Sequence, residues 1–252
     1  DVYLELLMFI ARRWSSKFKV SNIINIPLIK YVASDGIQSF FSLHECRQLG
    51  AGAKRVKLAP SSSTCPCSWL INWNNVFACE TKQFFMPEST QQAISQLPDK
   101  YTLLDWLAKD VNISTMNVYT FANHVLCSSI NNNCKLAIAY AHFLYHSLSK
   151  GYLSSREVDI LCSSMPLVDN YGHITKSRKG VLLPANVSRW ADLIVSNPWK
   201  NEGYVELGKA YLNASSYAGQ NTSSRMLIDF LKRHGSDFTA EILGMHKKGQ
   251  LA

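Results

Sequence analysis

The sequence predicts an α+β fold that is predominantly helical, with a helical bundle region and a small β-hairpin. Apolar residues make up 47% of the 252-residue chain, which is enough to build a core. Charged residues make up only 17%, which excludes a disordered tail. From residue 101 onward, helical patterns follow one another with short turns between them, as is typical of a helix bundle.

Two segments are predicted. Residues 1–98 mix helical and extended patterns and contain a basic loop at 49–68, where glycine, proline and serine concentrate. Residues 99–252 are mainly helical, with a small hairpin near 165–184.

In the first segment, residues 2–14 have the apolar spacing of a helix. Arg12 and Arg13 stand where they complement the negative C-terminal end of its dipole. Residues 23–32 predict a short strand or an irregular apolar stretch, because Pro27 argues against a long helix. Residues 68–87 are rich in aromatic side chains and fit either strands or a helix.

Four consecutive helices are predicted from capping and stop signals in the second segment. The signals are Thr102 with Asp105, Ser114 or Thr115, the stop at Gly151, and Ser154 with Glu157.

The pattern then changes to short apolar stretches. Residues 165–174 are apolar on both sides of a turn at 170–172, and 180–186 form a second strand candidate, so we expect a small hairpin. Short helices follow at 188–196 and 223–234, and Gly235 ends the second of them.

Residues 201–212, NEGYVELGKAYL, resemble a phosphate-binding loop. Gly203 and Gly208 precede Lys209, but Ala210 lacks the hydroxyl that would hold Mg²⁺, and a polar turn rather than a buried strand comes before them. The stretch therefore predicts packing rather than nucleotide binding. The residues expected to point inward are Val205, Leu207 and Tyr211.

Histidine and cysteine residues offer two candidate zinc sites and one candidate nucleophile. His142 and His146 share a helix face, but the spacing of the preceding Cys127 and Cys134 is wider than that of a zinc finger. The remaining candidates are Cys65, Cys67 and Cys79, which also miss the spacing of a zinc knuckle, and the pair His124 and Cys127. The seven cysteines predict buried free thiols instead. No catalytic, cofactor-binding or metal residue is predicted, and the sequence leaves open whether the chain is an enzyme.

The net charge of +8 permits nucleic acid, an anionic membrane or an acidic protein as partner. The charge is dispersed along the chain, which is more typical of an ordinary solvated surface. A nucleic-acid-binding module that uses this dispersed basic surface, supported by the net charge and the basic loop, is therefore the alternative function. Lys54, Arg55 and Lys57 resemble a short basic nuclear-import signal, which needs an extended and exposed segment. Four asparagine sequons would matter in a secreted chain, but no signal peptide is visible. No apolar run reaches the length of a membrane span.

Residues 154–174, SSREVDILCSSMPLVDNYGHI, and the later VLLPANVSRWADLI resemble large plant proteins of the NO VEIN-like and sacsin-like group. PLIKYV and FFMPESTQQAI resemble segments of the same group, so the resemblance covers most of the chain. It implies a parent protein with an ATPase domain of the type found in histidine kinases, gyrase B and heat-shock chaperones (GHKL). The glycine-rich motifs of that domain are missing here, and Asp169 to Gly172 is the nearest approach to them.

The resemblance therefore implies that ATP and Mg²⁺ bind N-terminal to this chain, which begins at Asp rather than Met. The expected function is that of a non-catalytic accessory or scaffold segment of a chaperone-like protein, with no cofactor of its own. The expected partners are proteins or other domains of the same chain, with nucleic acid as the alternative and no membrane. The expected location is intracellular, and nuclear rather than cytoplasmic.

Overall fold

The structure is a computed structural model that describes residues 1–14, 20–77, 83–169, 171–176, 181–182, 205–213 and 215–234. Its fold is α+β and predominantly helical, which confirms the predicted class. The chain forms two compact units, Asp1–Asn117 and Val118–Ala252. Among the described residues, no helix combines the length and the apolar character needed to cross a bilayer.

The first unit combines six helices with a five-stranded sheet, counted over its described residues. The helices are α1 (Val2–Arg13), α2 (Val20–Ile23), α3 (Leu43–Arg47), α4 (Ser68–Val76), α5 (Glu88–Ser95) and α6 (Lys100–Lys109). The strands are β1 (Pro27–Val32), β2 (Gln38–Ser42), β3 (Val56–Leu58), β4 (Phe84–Phe85) and β5 (Ser114–Thr115). They are ordered β2-β1-β4-β3-β5, with parallel pairing only where β3 meets β4 and β5.

The β1–β2 hairpin follows from its turn chemistry. Gly36 has φ of +84°, a left-handed conformation that favours glycine, and the carboxylate of Asp35 accepts a hydrogen bond from the Ile37 amide at 3.0 Å. Pro27 stands at the first position of β1, where its missing N–H costs little. Of the two predictions for residues 23–32, the strand is therefore correct from Pro27 to Val32, whereas Ile23 is the last residue of α2.

Helix α1 covers the core of the first unit. Its N-terminus is capped by Asp1, whose carboxylate accepts a hydrogen bond from the Tyr3 amide at 3.0 Å. The helix packs against α6, and the ring of Trp14, just past its end, meets Trp106 edge-on at 5.6 Å. The buried face of α1 consists of Leu4, Leu7, Met8 and Ile10, which join a core cluster with residues of β1, α3 and α6.

The second unit has four helices in its described part. They are α7 (Val118–Leu126), α8 (Cys134–Ser149), α9 (Ser155–Ser164) and α10 (Ser224–His234), with 3₁₀ turns at Ser129–Asn132 and Lys209–Leu212. Its short strands are β6 (Leu167–Val168), β7 (Ile174–Thr175), β8 (Val181–Leu182), β9 (Val205–Glu206), β10 (Ser215–Tyr217) and β11 (Gln220–Thr222). The pairs β6–β7 and β10–β11 are antiparallel, and β8–β9 is parallel.

Helix α8 is the centre of this unit because its residues are buried on all sides from Ala137 to Leu144. The hydroxyl of Tyr140 donates a hydrogen bond to the carbonyl of Ala122 in α7 at 3.0 Å. Phe143 meets Phe121 of α7 edge-on at 5.5 Å. Helix α8 also packs against α9, α10, β6 and the 3₁₀ turn at Ser129–Asn132. The predicted bundle therefore exists, although its members are α7 to α10 and α6 belongs to the first unit.

The capping predictions had mixed outcomes. The box of Ser154 and Glu157 is confirmed at the start of α9, with both reciprocal hydrogen bonds present. The box of Thr102 and Asp105 is wrong, because α6 begins at Lys100 and both residues lie inside it. The cap at Ser114 or Thr115 is also wrong. Those two residues pair with β3 as strand β5, and α7 begins at Val118.

Two further predictions are corrected. The loop at 49–68 contains β3, which pairs on both sides. The hairpin is shorter than predicted: β6 pairs with β7, while β8 pairs with β9 instead of with β6. The predicted helix at 188–196 and the stop at Gly235 lie outside the described residues.

Candidate protein-interaction surface

The stretch that resembles a phosphate loop is used for packing. Leu207 and Tyr211 are fully buried, as predicted, and Val205 lies in β9. The amide of Gly208 donates a hydrogen bond to the Val168 carbonyl at 2.7 Å. A Cβ on Gly208 would lie 2.9 Å from that carbonyl oxygen, so this position needs glycine for close backbone approach. Gly203 lies outside the described residues.

The candidate zinc ligands in the described part of the chain do not form a metal site. No group of three histidine, cysteine or carboxylate side chains within the described ranges is placed to hold a metal ion. Cys127 is exposed, and the thiol of Cys134 donates a hydrogen bond to the carbonyl of Gly172 at 3.0 Å. His142 and His146 lie on a buried face of α8, as their spacing predicts.

These two histidines are held neutral. Burial lowers the pKa of His142 to about 4, with a smaller contribution from His146. Burial, with the charge of Lys150, lowers the pKa of His146 to about 4. His146 shares a hydrogen bond with Thr222, whereas neither ring nitrogen of His142 has a partner among the residues that the structure describes.

The described cysteines form no disulfide bond. Cys46, Cys65, Cys67 and Cys162 are buried, which confirms the prediction of buried thiols for these four. Burial and the charge of Glu45 raise the pKa of Cys46 to about 12, and burial raises the pKa of Cys67. A thiol with a raised pKa stays protonated at neutral pH and is a poor nucleophile. Cys79 lies outside the described residues.

The basic segment proposed as an import signal is built into the sheet. Lys57 belongs to β3, its ammonium donates a hydrogen bond to the hydroxyl of Ser114 at 3.0 Å, and burial lowers its pKa. The Lys54 amide donates to the Glu45 carbonyl at 3.1 Å. Lys54, Arg55 and Lys57 are all half-buried. The import signal stays a prediction, and its use would require β3 to leave both neighbouring strands.

The described surface contains a solvent-open cavity of about 750 Å³, which we name the helix groove. It lies in the first unit between α1 and the connection from α5 to α6. Its apolar lining consists of Leu4, Met8, Phe9, Ala93, Leu97 and Pro98. Its polar lining consists of Asp1, Glu5, Arg12, Arg13, Gln96 and Asp99.

The groove is shaped by contacts across it. The guanidinium of Arg12 on α1 forms an ion pair with the carboxylate of Asp99, which precedes α6. Leu4 and Met8 form an apolar floor because they lie on the buried face of α1. Phe9 stands at the rim with 47% of its surface exposed, and the guanidinium of Arg13 lies 4.6 Å from the centre of its ring.

This combination of an apolar floor and a charged rim is typical of surfaces that bind protein helices. Sequence patterns predicted α1, but not the groove. One signal for the groove was present in the sequence. Leu6 and Phe9, three residues apart, add an apolar stripe to α1 outside its buried face, and exposed apolar stripes of this kind often mark binding surfaces. No protein-family model, curated protein or solved structure matches the chain.

Proposed function

We propose that this chain is a non-catalytic accessory segment of a large, intracellular, chaperone-like protein of the NO VEIN-like and sacsin-like group, and that it binds protein partners. The observation that carries the partner-binding part is the helix groove, with its apolar floor and charged rim. Membership of that group is supported by the sequence segments that resemble it, and the helix groove has no bearing on it.

The occupant of the groove is an amphipathic helix of a partner protein. The groove runs along α1, whose 12 residues span about 18 Å, the length of a helix with three turns. Such a helix would place apolar residues at positions i, i+4 and i+7 over Leu4 and Met8. The exposed carboxylate of Glu5 at the rim favours a basic residue on the partner at that end.

Replacing Phe9 by aspartate is expected to weaken such binding by about tenfold, because an apolar rim contact is lost and a carboxylate is added beside the floor. The measurement starts with a phage-displayed library of amphipathic helical peptides, each about 16 residues long, selected on the full chain. The affinity of the selected peptides for the chain and for Phe9→Asp is then compared by calorimetry.

Leu49→Asp is the matched control, since Leu49 is 87% exposed and does not line the groove. We expect the peptides to bind this variant as they bind the unaltered chain. Equal loss in both variants, or selected peptides without helical apolar spacing, would contradict the proposal for the groove.

The ATPase activity of the parent protein is proposed to lie outside this chain. Calorimetry with ATP and Mg²⁺ should then show binding to an N-terminally extended form and no heat of binding to this chain. If the chain itself binds ATP and Lys209→Ala abolishes the signal, then residues 201–212 form a nucleotide site after all.

A nuclear location completes the proposal, on the strength of the basic residues at 54, 55 and 57. It is tested by the location of a fluorescent fusion of the chain with all three basic residues intact or replaced by alanine. Cytoplasmic fluorescence of the intact fusion would contradict it.

A further inference from the structure

Strand β2 is an open edge of the five-stranded sheet, since it pairs only with β1. The amide of Ala33 donates a hydrogen bond to the Ile37 carbonyl at 2.9 Å, and Tyr31 lies opposite Ser39. Hydrogen-bonded pairs alternate along an antiparallel ladder, so Gln38 and Phe40 direct their N–H and C=O groups away from β1. Among the described residues, no strand covers these four groups.

Apolar side chains stand beside this edge. Ile37 is 64% exposed and Phe40 is 44% exposed. The ring of Phe40 lies edge-on to Tyr3 of α1, with 6.1 Å between the ring centres. Edge strands are usually blunted by lysine, proline or a bulge, and the outer positions of β2 instead carry glutamine and phenylalanine.

A positive charge stands on the same face as Phe40. Lys30 lies directly opposite Phe40 in the ladder, so the two side chains share one face of the sheet. The ammonium of Lys30 lies 5.1 Å from the centre of the Tyr3 ring and 5.6 Å from that of Phe40. No ion pair of Lys30 with a carboxylate exists within the described part of the chain.

From these features we propose that β2 binds an extended segment of a partner protein as an added antiparallel strand, with an acidic side chain opposite Phe40. The backbone groups of Gln38 and Phe40 would form the ladder, as in other cases of strand addition. The residue opposite Phe40 shares its face with Lys30, so a carboxylate there can pair with the ammonium. A residue opposite Ile37 lies on the other face, where an apolar side chain is favoured. This site is separate from the helix groove and does not rest on it.

The probe is a fluorescent peptide containing Glu-Val-Thr-Val, which places glutamate opposite Phe40 and the last valine opposite Ile37. Its binding to the full chain is measured by fluorescence anisotropy. A peptide with lysine in place of glutamate tests the charge, and a peptide methylated on the backbone nitrogens of the ladder-forming residues tests strand addition. We expect the lysine peptide to bind about fivefold more weakly and the methylated peptide about tenfold more weakly.

Variants of the chain test the roles of the backbone and of the charge in the protein itself. Gln38→Pro removes an outward N–H that the ladder with β1 does not use, and it should weaken binding about tenfold. Gln38→Thr keeps that N–H and should bind normally. Lys30→Glu should reverse the preference between the glutamate and lysine peptides. Circular dichroism checks that each variant is folded.

Several outcomes would overturn the proposal. They are absence of peptide binding at millimolar concentration, equal binding of the methylated peptide, and loss of binding in Phe9→Asp but not in Gln38→Pro. If sedimentation shows that the chain dimerises and that Gln38→Pro returns it to a monomer, the occupant of β2 is a second copy, which also overturns it.

Discussion

Lowering the pH from 7 to about 4.5 is expected to destabilise the second unit by about 5 kcal/mol, through His142 and His146. Burial holds the pKa of each histidine at about 4, below the ordinary 6.5. In the unfolded chain both histidines take up protons as the pH falls through 6.5, whereas in the folded chain they do not until about pH 4. The unfolded state therefore binds more protons across this window. Stability is fully present above pH 6.5 and is lost as the pH falls towards 4.

Amide hydrogen exchange measures this effect within one unit. Protection of peptides from α8 at each pH, corrected for the intrinsic exchange rate, should fall as the pH falls. Helix α6 of the first unit contains no histidine, so its peptides serve as the internal control.

His142→Leu isolates one of the two histidines. The ring is buried and has no hydrogen-bond partner among the described residues, so its removal should leave the unit as stable at pH 7, or more stable by about 1 kcal/mol. The loss of protection on acidification should fall by about half, because one of two similar groups remains. An unchanged dependence on pH in this variant would show that carboxylates, and not His142, govern the acid response.

Replacing Leu7 by alanine is expected to lower the free energy of unfolding of the first unit by about 3 kcal/mol. Leu7 is fully buried in the core cluster beneath α1, so truncation leaves a cavity where α1 meets the rest of the unit. The helix groove is formed by the same helix, and it should lose its shape together with this packing.

Leu6→Ala is the matched control, because Leu6 is the neighbouring residue and is 44% exposed. Its effect should stay within about 0.5 kcal/mol. Urea denaturation followed by tryptophan fluorescence measures both variants, since Trp14 and Trp106 lie in contact beside α1. If Leu7→Ala costs as little as is expected for Leu6→Ala, the packing of α1 contributes little to the stability of the unit.

Local signals in the sequence predicted local structure well. Ser154 and Glu157 cap α9 as expected, because a capping box needs only residues three apart. The similar pattern at Thr102 and Asp105 failed because Lys100 and Tyr101 are also helical, with Leu103 and Trp106 turned to the core. A capping pattern inside a helix cannot be distinguished from one at its start without the tertiary contacts.

The sheet and the interaction surfaces were not predictable in the same way. Strand β5 has only two residues, and its pairing with β3 joins Ser114 to a partner far earlier in the chain. The helix groove forms where α1 meets the connection between α5 and α6. These segments are about 80 residues apart in the sequence, and periodic patterns do not predict contacts between distant segments. The exposed edge at Phe40 became recognisable only once the order of the strands was known.

The order of the strands also bears on how the chain folds while it is being synthesised. The β1–β2 hairpin joins residues close in sequence and can form within microseconds of leaving the ribosome. Strand β3 must wait for β4 on one side and for β5 on the other. In a nascent chain that has emerged only as far as β4, β3 can pair with β4, but its other edge stays unpaired and the core is incomplete. We expect this length of nascent chain to be the one that binds ribosome-associated chaperones most strongly, and release should coincide with the emergence of Ser114 and Thr115.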